Sequence, residues 1–378
     1  TPDVATPAEA DRAAEQPEVP SPANALLDAP EVDGIPIDEE HFPGELFREW
    51  LLGQRENDPA NPNVFGSDDG ILTEKERAAV KEIRFQYNIN TGNPPPEGGL
   101  DLTGIEYFPN LETLITQHIE ITNQLDLSQN TKLKLISLDS VANITYALDL
   151  SNQGELEKLT LNGNNIPSLD LSNNKKLTNI TIRGNNLTSL DVSMLPELEY
   201  LYLESNELRE IDVTKNPRLE RLEISGNADI SSLDISQNPE LKELYAQQTS
   251  LFFLDAKNNR KLEILFLDQN PLLGYEIVDG GTSLPITYNR FLDVVTVRAT
   301  PDGTVDLSQL VPELDGSRIS KLTGADKIEG TTLYGVKNGM DVTYNYRTRT
   351  AGDGSSNGML ARIHIVSEEP AAGVHTVN

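Results

Sequence analysis

The sequence predicts a parallel β-solenoid with a small α-helical cap before it and an antiparallel β-sandwich after it. Three observations predict this arrangement. A block of the form L-x-x-L-x-L-x-x-N-x-L starts at Leu111, Leu133, Leu156, Leu177, Leu198, Leu219, Leu241 and Leu262, at intervals of 22, 23, 21, 21, 21, 22 and 21 residues. A second block, LDLS or a close variant, recurs with the same period in the other half of each unit. Beyond about residue 280 the period stops, and VVTVRA, DVTYNYRT and MLARIHIV alternate apolar and polar residues instead.

In each unit the L-x-L centre alternates at period 2, so its leucines face inward and the residue between them faces outward, giving one short strand. A unit this short cannot bury its apolar face alone. Stacking buries it, with a parallel sheet on the concave side and short turns or 3-10 segments on the convex side, which is the leucine-rich-repeat signature. In LEYLYLESNELREIDVTKNP, the side chains of Leu198, Leu201, Leu203, Leu208, Ile211 and Val213 are expected inside. Asn164, Asn185, Asn206, Asn227 and Asn270 keep the Asn of the block, where an inward amide satisfies backbone groups as the chain leaves the sheet. Ile119, Val141 and Thr249 replace it, with Asn143 as a stand-in for the second block, and those coils are expected to be irregular. The second block stacks Asp126, Asp149, Asp170, Asp191, Asp212, Asp234 and Asp255 into one column. Like charges roughly 5 Å apart repel unless each accepts local N–H groups or cations lie between them. The Asp-x-Ser spacing ahead of an Asn turn favours the first arrangement.

The flanks differ in composition. Residues 1–34 are rich in Pro, Ala and Glu without an apolar run and read as a disordered tether. Residues 35–99 read as the cap, with Phe42, Leu46, Phe47, Trp50 and Leu51 at helical spacing and Thr73 followed by Glu76 as a capping box. Setting Gly70 on the turn glycine of a calcium loop puts Asp69, Thr73 and Glu76 at ligand positions 5, 9 and 12, but Phe65 at position 1, where Asp is needed. Those three are the candidate metal residues, with Asp58, Asn61 or Asn63 as supplements from an enlarged loop. The competing reading is a metal-free cap that shields the first coil. Residues 100–280 are the repeats, and 281–378 the sandwich, for which an immunoglobulin-like form lacks its Cys and Trp markers.

A net charge of -30, from 60 acidic and 30 basic residues, argues against a nucleic-acid or anionic-membrane partner, both of which need a basic face. Residues 1 to 80 carry 19 Asp/Glu against 5 Lys/Arg, so about half of the excess precedes the repeats. Without cysteine, the chain has no disulfide, thiolate metal site or cysteine nucleophile. His41, His118, His364 and His375 share no ligand spacing, and no nucleophile elbow, P-loop, dinucleotide glycine fingerprint or H-E-x-x-H occurs. A non-enzymatic, monomeric chain without a cofactor is expected, calcium being the alternative, and no apolar segment is long enough for membrane insertion.

Function therefore rests on the outward strand positions, which down the stack are Ile115, Ser137, Thr160, Thr181, Tyr202, Glu223, Tyr245 and Phe266. With Tyr200 and Arg221 they form a Tyr/Arg/Phe patch of the composition that supplies interface hot spots. Arg183, Glu204 and Glu223 flank it as polar specificity residues. The alternative for Tyr245 and Phe266 is that the C-terminal unit covers them.

Through the leucine blocks followed by LDLSxNPxL, over residues 100 to about 275, the chain resembles the short-repeat leucine-rich-repeat proteins of bacterial surfaces, the internalin-like group. DLTGIEYFPNLETL at 101 to 114 looks like the opening coil of such arrays, and the cap resembles the EF-hand-like helical caps that precede them. The resemblance implies an extracytoplasmic protein, held at a bacterial surface through the tether or secreted, that binds a host or neighbouring-cell protein on its concave face. A passive cell-envelope spacer and a glycan-binding adhesin are the alternatives.

Overall fold

The computed structural model describes residues 34–53, 69–88, 90, 92–139, 144–277, 286–287, 294–347, 359–366 and 376–377. The expectations for the tether up to residue 33, for Val141 and Asn143, for Asp58, Asn61, Asn63 and Phe65, and for His375 lie outside them.

The cap forms where the spacing places it. The helix Glu45–Leu51 buries Leu46, Phe47, Trp50 and Leu51, and Phe42 packs edge-on against Phe47 at 5.7 Å. Phe85 and Phe108 complete this aromatic cluster over the first coils. The helix Glu74–Ala79 buries nothing and depends on its capping box, in which the Thr73 side chain accepts from the Glu76 N–H and the Glu76 carboxylate accepts from the Thr73 N–H. Ile35–Pro36 pairs antiparallel with Ile71–Leu72 and ties the two halves of the cap together.

The solenoid is a ten-stranded sheet whose pairings are all parallel. Its strands are Glu82–Gln86, Thr113–Gln117, Leu135–Asp139, Lys158–Thr160, Asn179–Thr181, Tyr200–Tyr202, Arg221–Glu223, Glu243–Tyr245, Ile264–Phe266 and Ile286–Thr287. The first and last of these lie outside the leucine period. Glu82–Gln86 joins because Ile83 and Phe85 alternate inward, which is enough to pair with a parallel neighbour without the rest of the block. The convex side is built of turns, with one 3-10 helix at Ile105–Tyr107 and a parallel pair, Phe253–Ala256 with Gly274–Ile277, near its end.

Columns of polar side chains hold neighbouring coils together. Asn206 donates to the carbonyls of Ile182 (2.6 Å) and Leu203 (3.0 Å) and accepts from the Leu187 N–H (3.3 Å), and Asn185 and Asn227 repeat this coil-to-coil bridge. At the break in the pattern, the Thr249 hydroxyl donates to Asn270 Oδ1. A second amide column lies on the convex side at Asn130, Gln153, Asn174, Asn216, Asn238 and Asn259, each donating to carbonyls of the coil before it. Leu195 interrupts that column. The aspartate column is occupied by local turns: Asp126, Asp149, Asp170, Asp191 and Asp234 accept from the backbone N–H of the Ser two residues on, Asp212 from Thr214, and Asp255 from Lys257. Hydrogen bonds from Ser193 hold the Asp191 carboxyl below the usual carboxylate range, against the opposing effect of Asp170 and Asp212. Ion pairs cross between coils as well, and Lys134 and Lys81 together hold Glu112 down to about 2.

The C-terminal unit has a five-stranded sheet, in the order Ile319–Thr323, Asp341–Tyr346, Met359–Val366, Val295–Arg298, Thr376–Val377, and a three-stranded antiparallel sheet of Thr304–Asp306, Thr332–Tyr334 and Lys327–Glu329. The pairings in which Val295–Arg298 takes part are parallel, a direction that period-2 alternation does not encode. This unit is bolted to the last coils. The Tyr344 hydroxyl donates to the Leu273 carbonyl (3.1 Å), and Tyr346 lies edge-on to Phe253 and reaches Glu276. Arg318 forms an ion pair with Glu276 and another with Asp315. Burial pushes the Tyr346 hydroxyl up to about 12, so it stays protonated as a donor. A side chain at Gly274 would meet the Phe253 ring at 2.9 Å and the Tyr346 ring at 3.1 Å, so only glycine permits this approach.

Candidate functional site

Parallel pairing in register turns a 21-residue period into rows of side chains across the concave sheet. Ile115, Ser137, Thr160, Thr181, Tyr202, Glu223, Tyr245 and Phe266 are successive partners in one such row. Tyr200, Arg221 and Glu243 are partners in the row two residues earlier. The first half of these rows holds no aromatic ring, whereas the second half is aromatic and charged.

In that second half the side chains stack along the solenoid axis. The Arg183 guanidinium lies 4.8 Å from the Tyr202 ring, and Arg221 lies 5.1 Å from Tyr202 and 4.6 Å from Tyr245. Tyr245 in turn stacks on Phe266 at 5.2 Å and 18°. Arg183 comes from the coil before Tyr202 and Arg221 from the coil after, so both faces of that ring are taken. Tyr245 is held likewise between Arg221 and Phe266. Cation–π contacts of this kind contribute about 0.5–1 kcal/mol at exposed sites.

Carboxylates sit at the rim of this ladder. Glu243 pairs with Arg221 (3.0 Å) and accepts from the Tyr245 hydroxyl (3.1 Å). Glu220 accepts from Tyr200 (3.2 Å) and Lys242 (2.8 Å), and Glu204 lies 3.7 Å from Arg183. The negative charge of Glu220 pushes the Tyr200 hydroxyl up, so it remains a donor at neutral pH. Glu223, between Tyr202 and Tyr245 in the row, is only 7% exposed, and burial raises its carboxyl above the usual range. It is the least accessible of the residues chosen from the sequence. Tyr200, Tyr202, Arg221, Tyr245, Phe266, Arg183 and Glu204 all keep exposed surface in one neighbourhood, and Tyr245 and Phe266 remain half-buried. The sequence choice omitted Glu220, Lys242 and Glu243. Their signal was a recurrence two and three residues before the outward leucine-flanked position, in step with the tyrosines.

The candidate calcium residues lie far from this face, in the cap. Asp69 accepts from the Ile71 N–H (3.0 Å), and Glu76 is engaged by the N–H and the hydroxyl of Thr73, each at 2.8 Å. Among the described residues no group of three or more His, Cys, Asp or Glu side chains is placed to hold a metal ion, and no helix is long and apolar enough to cross a membrane.

No family model matches the chain, and no curated protein matches it. Solved structures similar to it include InlP of Listeria monocytogenes, at 20% identity over 88% of this chain and 98% of that one, with a TM-score of 0.49. The internalin-like protein lmo2027 of Listeria monocytogenes is 15% identical over 88% and 98%, with a TM-score of 0.43. The functional domain of InlJ from the same organism, which includes a cysteine ladder, is 17% identical over 86% and 97%, with a TM-score of 0.32. At these identities no residue role carries over, and the leucine-rich-repeat fold rests on the register and columns of this chain itself.

Proposed function

We propose that the chain is a non-enzymatic binding module that docks a protein partner on the second half of its concave sheet, from Arg183 to Phe266, and that it works outside the cytoplasm, at a bacterial surface or secreted. One observation carries the reading: an arginine–aromatic ladder held rigid on paired strands, with tyrosine edges and hydroxyls turned to the rim. Aromatic and arginine side chains supply most interface hot spots, and those already fixed in place lose little rotamer freedom on association. A glycan, by contrast, stacks on an open ring face, and Tyr202 and Tyr245 have theirs occupied. The cap and the C-terminal unit seal the two ends of the stack, which open solenoids require for solubility.

A photoreactive phenylalanine analogue placed at Tyr202, and separately at the exposed convex residue Met194, tests the reading against an extract of cell-surface proteins. The same discrete adduct should form repeatedly from position 202 and not from 194. Adducts from 194 alone would move the site to the convex side, and none from either would favour a passive spacer.

A further inference from the structure

We propose that the partner presents a basic segment to this face, a prediction that rests on the docking reading above and adds to it the chemistry of the partner. The ladder separates charge by depth. Arg221 lies between two rings and Arg183 against one, and their charge is spent on these π-faces and, for Arg221, on the Glu243 carboxylate. What remains at the rim is acidic.

Across the coils from Tyr200 to Phe266, the row that precedes the strands carries Glu199, Glu220, Lys242 and Glu263, and Lys242 is already paired with Glu220. Glu199 and Glu263 have no ion pair among the described residues. On the other side of the ladder Glu204 keeps about half of its side chain exposed, and its contact with Arg183 is long, at 3.7 Å. Glu223, sunk between two tyrosines and nearly without exposed surface, lies beneath the ladder and is no direct contact for the partner. A lysine or arginine placed along this rim meets carboxylate oxygens that it can pair with through charge-assisted hydrogen bonds. An acidic partner would meet repulsion from both sides of the ladder.

Titration calorimetry on the whole chain with three amidated decapeptides, Arg/Ser, Lys/Ser and Glu/Ser, tests the inference. The Arg/Ser peptide should bind, and the Glu/Ser peptide should not. Neutralising the rim with Glu199→Gln, Glu204→Gln and Glu263→Gln should weaken Arg/Ser binding by about tenfold, at roughly half a kcal/mol for each lost exposed pairing. The same charge change on the convex side, Asp170→Asn, Asp191→Asn and Asp212→Asn, preserves the turns through the Asn side chains and should alter binding less than about twofold. Equal weakening by the two triple variants would overturn the inference, since the peptide would then sense only net charge. No Arg/Ser binding at about 0.15 M salt would also overturn it. Should the position-202 adduct form while its contact proves acidic or salt-insensitive, the docking face stands and only the basic partner falls.

Discussion

Replacing Arg318 with Ala is expected to destabilise the protein by about 3–5 kcal/mol, because it strips the partner from a buried carboxylate. The Arg318 and Glu276 side chains are 13% and 10% exposed, and with Arg318 gone Glu276 is left with the Tyr346 hydroxyl, at 3.4 Å, as its donor among the described residues. The loss should concentrate at the junction of the C-terminal unit with the last coil, since Asp315, Tyr346 and Gly274 meet there. Urea unfolding should show the lower midpoint, and limited proteolysis should cut first on the C-terminal side of residue 277. The double variant Arg318→Met with Glu276→Met removes both charges and should recover most of the stability, because a buried pair contributes little beyond an apolar pair of similar volume. A single variant as stable as the parent would mean that the junction is not held by this pair.

Asn206→Ala is expected to cost about 3 kcal/mol, on the order of 5–10 °C in Tm for a unit of this size. The amide bridges two coils, and its removal leaves the Ile182 carbonyl and the Leu187 N–H inside the stack without the bonds it made. Each buried backbone group left unsatisfied costs about 1–3 kcal/mol. Asn206→Asp is the sharper version, since its carboxylate would point at the carbonyls that the amide now donates to. Leu208→Val, in the same coil, removes one methylene and should cost only about 1 kcal/mol, which separates loss of the bridge from loss of packing. Differential scanning calorimetry resolves these cases.

How much of this was readable in advance depended on whether a feature repeats. The leucine period placed every strand of the concave sheet from Thr113 to Phe266 and, through parallel register, the complete row from Ile115 to Phe266. It also placed the Asn bridges and the aspartate turns, because a local bond that recurs in each coil leaves a column in the sequence. The second amide column left the same trace, in the Asn of LSNNKKL, VTKNPRL and ISQNPEL, but a turn explained those residues equally well from sequence alone. The strand Glu82–Gln86 was hidden because it carries the alternation without the leucines around it. Parallel pairing in the C-terminal unit was hidden because alternation is blind to strand direction.

At the candidate site the residue types and their neighbourhood were legible, but the stacking was not. Arg183 and Arg221 stand one coil either side of Tyr202, yet whether they cover its faces depends on side-chain rotamers. Glu223 was expected as an outward contact and is instead buried, because its neighbours in the row are two tyrosines much longer than itself. The Glu276–Arg318 pair spans 42 residues outside the repeat, where no period could bring the two together on paper.

The central claim is that the ladder is the docking surface, and the affinity of the protein captured from position 202 tests it most directly. Tyr202→Ala with Tyr245→Ala should weaken that complex by about a hundredfold or more, as loss of two hot-spot side chains does. The variant should retain a cooperative thermal transition, since both side chains lie on the outer side of the sheet and neither contributes to the core. An affinity unchanged in this variant, with the protein folded, would contradict the account.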